Sequence, residues 1–301
     1  MTLQFLADGV VMGAMLGLGA IGVTLTYSIL RFANFAHGEF ITWGAYITLA
    51  ITAAIAMLAG GTPTFGIFSF GWPILAAGMM AAMLTGALAL ALDAVLFSRL
   101  RQRGSAIVMV MASFGASLAL RSFLEFLFTS KPAYFSRDIQ MAVPLGMGVR
   151  VTPDQIFLVG VTLVIFIAMD RFMALSASGR AMRAVSENPT LARVAGIDVE
   201  RVIRTTWLAG GALACAAGVM IGITLQIRPF MGFDFLLPLF AAAILGGIGS
   251  VQGAIVGGLI VGISEALAVQ IVGADYRAAI AFVILIAVLL VRPAGLFGLR
   301  Q

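Results

Sequence analysis

Apolar residues gather into nine runs along the chain, at about residues 5–29, 39–59, 72–97, 105–128, 154–175, 205–227, 235–248, 251–272 and 276–291, with short polar stretches between them. Crossing roughly 30 Å of hydrocarbon as a helix takes about 20 residues, so the seventh run is too short for a full span. It is expected to be a half-span, a tightly packed broken segment or one limb of a re-entrant hairpin, and such backbone persists at membrane depth only where protein or a watery cavity surrounds it. The first run has no basic segment before it and no small-residue cleavage site near its end, so it reads as a retained helix. The pattern predicts an all-α polytopic membrane helix bundle of about eight transmembrane helices with broken or re-entrant segments, forming one transmembrane domain over 1–301.

Composition agrees. The chain is 61% hydrophobic and 10% charged, with a mean hydropathy of +1.10, whereas soluble domains average about 45–50% apolar and about 25% charged. A single cysteine, Cys215, excludes an internal disulfide, and with a single histidine, His37, no metal site is expected. The net charge of +5 does not point to nucleic acid, because the basic residues sit in short loops, where they report topology. Arg99, Arg101 and Arg103 crowd one loop, Arg180, Arg183, Arg193, Arg201 and Arg204 another, and Arg292 and Arg300 the C-terminal end. These groups are expected on the cytoplasmic side, opposite Lys131, Arg137, Arg150, Arg228 and Arg277, which puts the N-terminus outside. Glycines at four-residue spacing, as in Gly9-Gly13-Gly17, Gly218-Gly222, Gly249-Gly253-Gly257 and Gly258-Gly262, predict close helix packing.

Ionisable groups inside spans cost a few kcal/mol each and need a partner, a cavity or a function. The densest polar island is Arg31-Phe32-Ala33-Asn34-Phe35-Ala36-His37-Gly38-Glu39. It reads as a broken helix on a translocation path, with Asn34, His37 and Glu39 supplying donors and acceptors; the plainer reading is an interfacial connector with Arg31 snorkelling. Arg121 and Glu125, spaced i, i+4, are expected to pair with each other structurally. Glu265 must face the interior, either lining a path or bonding to a broken segment. A second break, Ile244 to Gly253, holds Gly249, Ser250 and Gln252. Ser250 is a good N-cap, and the stretch is either an anion-holding helix start or a tight turn.

The longest polar segment, 176–204, carries clear stop and start signals. Asn188-Pro189 opens a short helix, Gly196 ends it and Asp198 caps the next. Leu191, Val194 and Ala195 form an apolar strip on it with Arg193 directed elsewhere, so this helix needs a partner surface. The chain has one lysine, Lys131, and no Gly-x-x-x-x-Gly-Lys-Ser/Thr phosphate loop, so any ATP-driven movement relies on another polypeptide. One histidine, one cysteine and no His-Glu-x-x-His motif argue against an enzyme.

The run Leu30 to Phe40 followed by Gly44-Ala45-Tyr46, the stretch Gly179-Arg180-Ala181-Met182-Arg183-Ala184 with Asn188-Pro189, Ala192 and Ala195-Gly196-Ile197, and Gly246 to Gly253 together resemble bacterial branched-chain amino acid ABC importer permeases, of the H type rather than the M type. The resemblance implies a second, M-type permease subunit, two cytoplasmic ATPase subunits holding ATP and Mg, a periplasmic binding protein, and residence in the bacterial inner membrane among lipid. No cofactor is expected on this chain itself. It further implies that Glu187, Asn188, Pro189, Leu191, Arg193, Val194, Ala195 and Gly196 touch an ATPase, and that the breaks shape the path. Related systems move urea, short amides or aromatic acids, and an ion-coupled secondary transporter using His37, Glu39 and Glu265 is the more distant alternative.

Overall fold

The computed structural model describes residues 3–59, 61, 64–101, 105–136, 140–146, 148–273, 276–292 and 295–298; Arg103, Arg137 and Arg300 lie outside the described residues. Seven helices are long and apolar enough to cross a membrane. They are α1 (Gln4–Leu30), α2 (His37–Ala59), α3 (Trp72–Arg101), α4 (Ala106–Phe128), α5 (Pro153–Leu175), α8 (Val199–Thr224) and α10 (Val251–Val272). Two shorter apolar helices accompany them, α9 (Met231–Gly246) and α11 (Arg277–Val291), and two polar ones, α6 (Ala177–Glu187) and α7 (Pro189–Val194), fill the long loop. A small antiparallel hairpin, β1 (Val143–Gly146) and β2 (Val149–Val151), precedes α5.

Side-chain contacts fix which helix ends lie together. Gln4 bonds both the amide and the carbonyl of Arg150 in β2, whereas Arg31, just past α1, donates to the carbonyls of Ser186 and Glu187 at the end of α6. Gln4 therefore sits at the hairpin end of the bundle and the 176–204 segment at the opposite, basic end, as the arrangement of arginines predicts.

Helix α1 is the centre. Nearly all of its most apolar window is buried, 94% against 17% for α5, and α10, α8, α9 and α5 pack around it. Its glycines explain how. A Cβ on Gly9 or Gly13 would stand 2.6 Å from the Cα of Ile263 or 2.7 Å from that of Leu259, and one on Gly258 or Gly262 would run into the backbone of Gly17 or Gly13. The two antiparallel helices thus touch backbone to backbone, gaining dispersion contact where lipid supplies no hydrophobic drive. The outer faces of α4, α5 and α11, with Met111, Phe126, Val164, Leu290 and Val291 exposed, meet the apolar surroundings that a bilayer provides.

The seventh apolar run begins earlier than its hydropathy suggests. Helix α9 starts at Met231 and takes in Asp234 and Pro238, but its 16 residues still reach only about 24 Å. Its start lies against the start of α2: the backbones of Gly38 and Gly232 meet, and the Gly232 amide donates to Thr42 Oγ1 at 3.0 Å. Its other end turns through Gly247 and Gly249, at φ 99° and 93°, values open to glycine but strained for other residues. Residues 295–298 latch this turn, the Leu296 and Phe297 amides donating to the carbonyls of Leu245 and Gly246 at 2.8 and 3.0 Å. In α3 a π-turn at Asp93–Phe97 buries Asp93, which pairs with Arg101 at 2.8 Å, keeping it at the basic end.

Gly258→Leu is expected to lower thermal stability in detergent by an amount typical of overpacking, about 1–3 kcal/mol or more. Gly115→Ala, in α4 where an added Cβ meets nothing within 4 Å, is expected to cause no loss. Thermal unfolding of the two purified variants followed by intrinsic tryptophan fluorescence checks the contrast.

Candidate functional site

The break between α1 and α2 is built by its own side chains. Arg31 closes α1 in the left-handed region at φ 60°, its amide bonded to the Tyr27 carbonyl. Asn34, buried at 3% exposure, folds an Asx turn: its Oδ1 accepts from the Ala36 amide at 3.1 Å and its carbonyl from the His37 amide at 3.2 Å, which starts α2. The Phe35 amide donates to Ser113 Oγ on α4. The polar island is thus a true helix break inside the protein, and Asn34 is its pivot.

His37 and Glu39 follow on the first turn of α2 and point to different neighbours. The His37 ring lies against Gly19 and Gly22 of α1, where a Cβ on Gly22 would come 2.7 Å from His37 Cε1. Glu39 faces α4. Its Oε1 accepts from Ser117 Oγ at 2.9 Å and from Arg121, at 2.5 Å through a terminal nitrogen and 3.2 Å through Nε. Arg121 therefore does not pair with Glu125, as the i, i+4 spacing suggested. A helix-surface pair contributes about 0.2–0.5 kcal/mol, whereas an uncompensated buried carboxylate costs several. Glu39 is wholly buried and Glu125 only partly so, and the guanidinium goes where the charge most needs it.

Two aromatic side chains from the entry to α9 complete this cluster. Phe230 and Phe233 flank the Arg121 guanidinium, whose carbon is 4.7 and 4.5 Å from the two ring centroids, a cation–π arrangement that strengthens as water is excluded. The site thus joins α2, α4 and α9 where two helix starts meet inside the bundle. Arg228 and Asp234, 3.6 Å apart and about half exposed, stand at its rim.

The remaining path candidates lie elsewhere. Ser250 caps α10, accepting from the Gly253 amide at 2.9 Å. Gly249 rests against Ser28 of α1 and exposed Gln252 donates to Asp170 at 3.1 Å, so this second break is a latched turn at the basic end, apart from Glu39. Glu265, 1% exposed, shares with Gly258, Val261 and Gly262 the buried face of α10.

At the basic end the 176–204 segment has the predicted caps. Asn188 Oδ1 accepts from the Thr190 and Leu191 amides at 3.0 Å, Gly196 adopts φ 84°, and Asp198 accepts from the Arg201 amide at 3.1 Å. Leu191 and Val194 are 64% and 82% exposed, and Glu187, Asn188, Pro189, Arg193, Ala195 and Gly196 are exposed around them. Helix α6, which sequence patterning did not delineate, buries Gly179, Met182 and Val185, with Gly179 against Phe172 and Met173 of α5, and is capped by Ser176. Arg31 is likewise no lipid snorkeler: by holding the last carbonyls of α6 it joins the 176–204 segment to the α1–α2 break.

A break of helix inside a polytopic bundle, a buried ion pair beside it and a capped helix presented at one end define a membrane transport component. The chain belongs to the family described as branched-chain amino acid transport system, permease component, which matches residues 5–289. It is 34% identical to the high-affinity branched-chain amino acid transport system permease protein LivH of Escherichia coli K12, over 98% of this chain and 95% of that protein. It is 33% identical, with the same coverage, to the corresponding protein BraD of Pseudomonas aeruginosa. A fructose import permease, FrcC of Rhizobium meliloti, is 26% identical over 50% of this chain and 45% of its own length. No solved structure matches.

Removing either partner of the Glu39–Arg121 pair, as in Glu39→Ala or Arg121→Ala, is expected to destabilise the protein by about 3–5 kcal/mol, while the double variant loses less than the sum. A double-mutant cycle on thermal unfolding of the purified protein measures this coupling.

Proposed function

We propose that this chain is one of the membrane-spanning subunits of an ATP-binding cassette importer that brings branched-chain amino acids into a bacterial cell through the inner membrane. The observation that carries the reading is the mechanical connection at the basic end. Helix α7 presents Leu191 and Val194 to a partner, and α6 beside it is held by Arg31, the residue at which α1 ends and the Asn34–Glu39 break begins. An ATPase subunit seated on α7 would move α6, and through Arg31 the break and the start of α2.

The chain has no phosphate-binding loop of its own, so ATP and Mg are assigned to two separate cytoplasmic subunits. A second permease subunit completes the membrane core, and a periplasmic protein delivers the cargo at the hairpin end. The permease names of the relatives in Escherichia coli and Pseudomonas aeruginosa supply the cargo class.

Leu191→Asp and Val194→Asp are expected to leave the protein inserted and to abolish co-purification with the ATPase subunits; retained stoichiometric binding would count against the docking assignment. Arg31→Ala is expected to keep the complex together but to lower leucine uptake per ATP hydrolysed at least several-fold. Paired uptake and phosphate-release measurements in proteoliposomes check this, and equal coupling ratios would return Arg31 to a purely structural role. Uptake driven by a proton gradient without ATPase subunits would overturn the whole reading.

A further inference from the structure

We propose that Glu39 and Arg121, with Phe230 and Phe233 beside them, form a transient recognition site for an α-amino acid zwitterion on its way through the subunit. This rests on the amino acid cargo proposed above. Four observations carry it. First, an ion pair inside a membrane bundle is a poor structural device, since well-packed apolar residues of the same volume do as well or better, and ionisable groups at that depth are by default functional. Second, the pair is incompletely satisfied. All three donors reaching Glu39 converge on Oε1, while Oε2 is buried without a hydrogen-bond partner among the described residues. A carboxylate oxygen in that state is an acceptor awaiting a donor, and leaving it so costs free energy.

Third, the chemistry of an α-amino acid matches the pair with signs exchanged. Its ammonium is a three-donor cation suited to Glu39 Oε2, and its carboxylate suits the guanidinium, which commits only Nε and one terminal nitrogen to Glu39. A zwitterion entering between them replaces each residue's counter-charge by one of the same sign. No isolated charge is left in the low-dielectric interior at any stage, and when the site is empty the two residues neutralise each other. Fourth, an apolar flank beside the pair reaches the surface. Phe230 and Phe233 lie against the Arg121 guanidinium and, at 51% and 41% exposure, reach the surface of the subunit. An aliphatic side chain would rest on those rings while the charged end reached the pair.

The test uses the assembled permease–ATPase complex in nanodiscs, without binding protein, and L-photo-leucine, a diazirine analogue that retains both charges. Irradiation at millimolar probe is expected to label peptides containing Phe230 to Phe233 or Ser117 to Arg121, and excess L-leucine to displace the label. Leucinamide and 4-methylpentanoate, each lacking one of the two charges, are expected to compete about tenfold less well, the loss of one charge-assisted contact. Glu39→Gln, which keeps size and hydrogen bonding, is expected to lower labelling of the same peptides about tenfold in complexes that still co-purify intact. Equal competition by 4-methylpentanoate would reduce the site to an apolar contact and overturn the inference. So would leucine-displaceable label that falls only on other segments, or no displaceable label at all, in complexes whose proteoliposomes take up leucine when supplied with binding protein and ATP. Failure of that uptake would instead overturn the amino acid cargo itself, and with it this site.

Discussion

Backbone must touch backbone for this bundle to close. Helix α1 has almost no exposed face, and the helices around it approach to distances that leave no room for a Cβ on either side of the α1–α10 contact. In lipid there is no hydrophobic force to press helices together, so attraction comes from many short-range contacts, and these fall off steeply with separation. The glycine ladder therefore sets the position of α1. Everything α1 carries at its end, including Arg31 and the break that follows, inherits that position.

The break is the second consequence of the same economy. Non-helical backbone at this depth is tolerated only when enclosed, and here α4 and α9 enclose it, through the Ser113 hydroxyl and the Gly38–Gly232 contact. Enclosure also creates a place where charge can be held. Glu39 pairs with Arg121, whose guanidinium lies against the rings of Phe230 and Phe233.

Much of this was legible in the chain. Long apolar runs announce the seven long helices because hydrocarbon leaves few alternatives, and α7 could be read residue by residue, since Asn188, Pro189, Gly196 and Asp198 each act locally. What escaped was everything decided across sequence distance. Arg121 looked committed to Glu125, four residues away, because spacing cannot report that Glu39, 82 residues distant, is the more deeply buried charge. Helix α6 was hidden by its arginines, although Gly179, Met182 and Val185 mark its inner face. The central place of α1 was unreadable for a simpler reason: a helix apolar on all sides shows no preferred face, and only its partners reveal that it is surrounded. The early start of α9 was masked by Asp234 and by the glycine at 232, which hydropathy counts against a helix.

The latch over the α9–α10 turn carries a consequence in time. Ribosomes deliver the chain from the amino end, so α9 and α10 leave the ribosome before residues 295–298 do. Until those residues arrive, the carbonyls of Leu245 and Gly246 lack the amides that later cover them. The turn at the basic end of the bundle is therefore closed later than the two helices it joins.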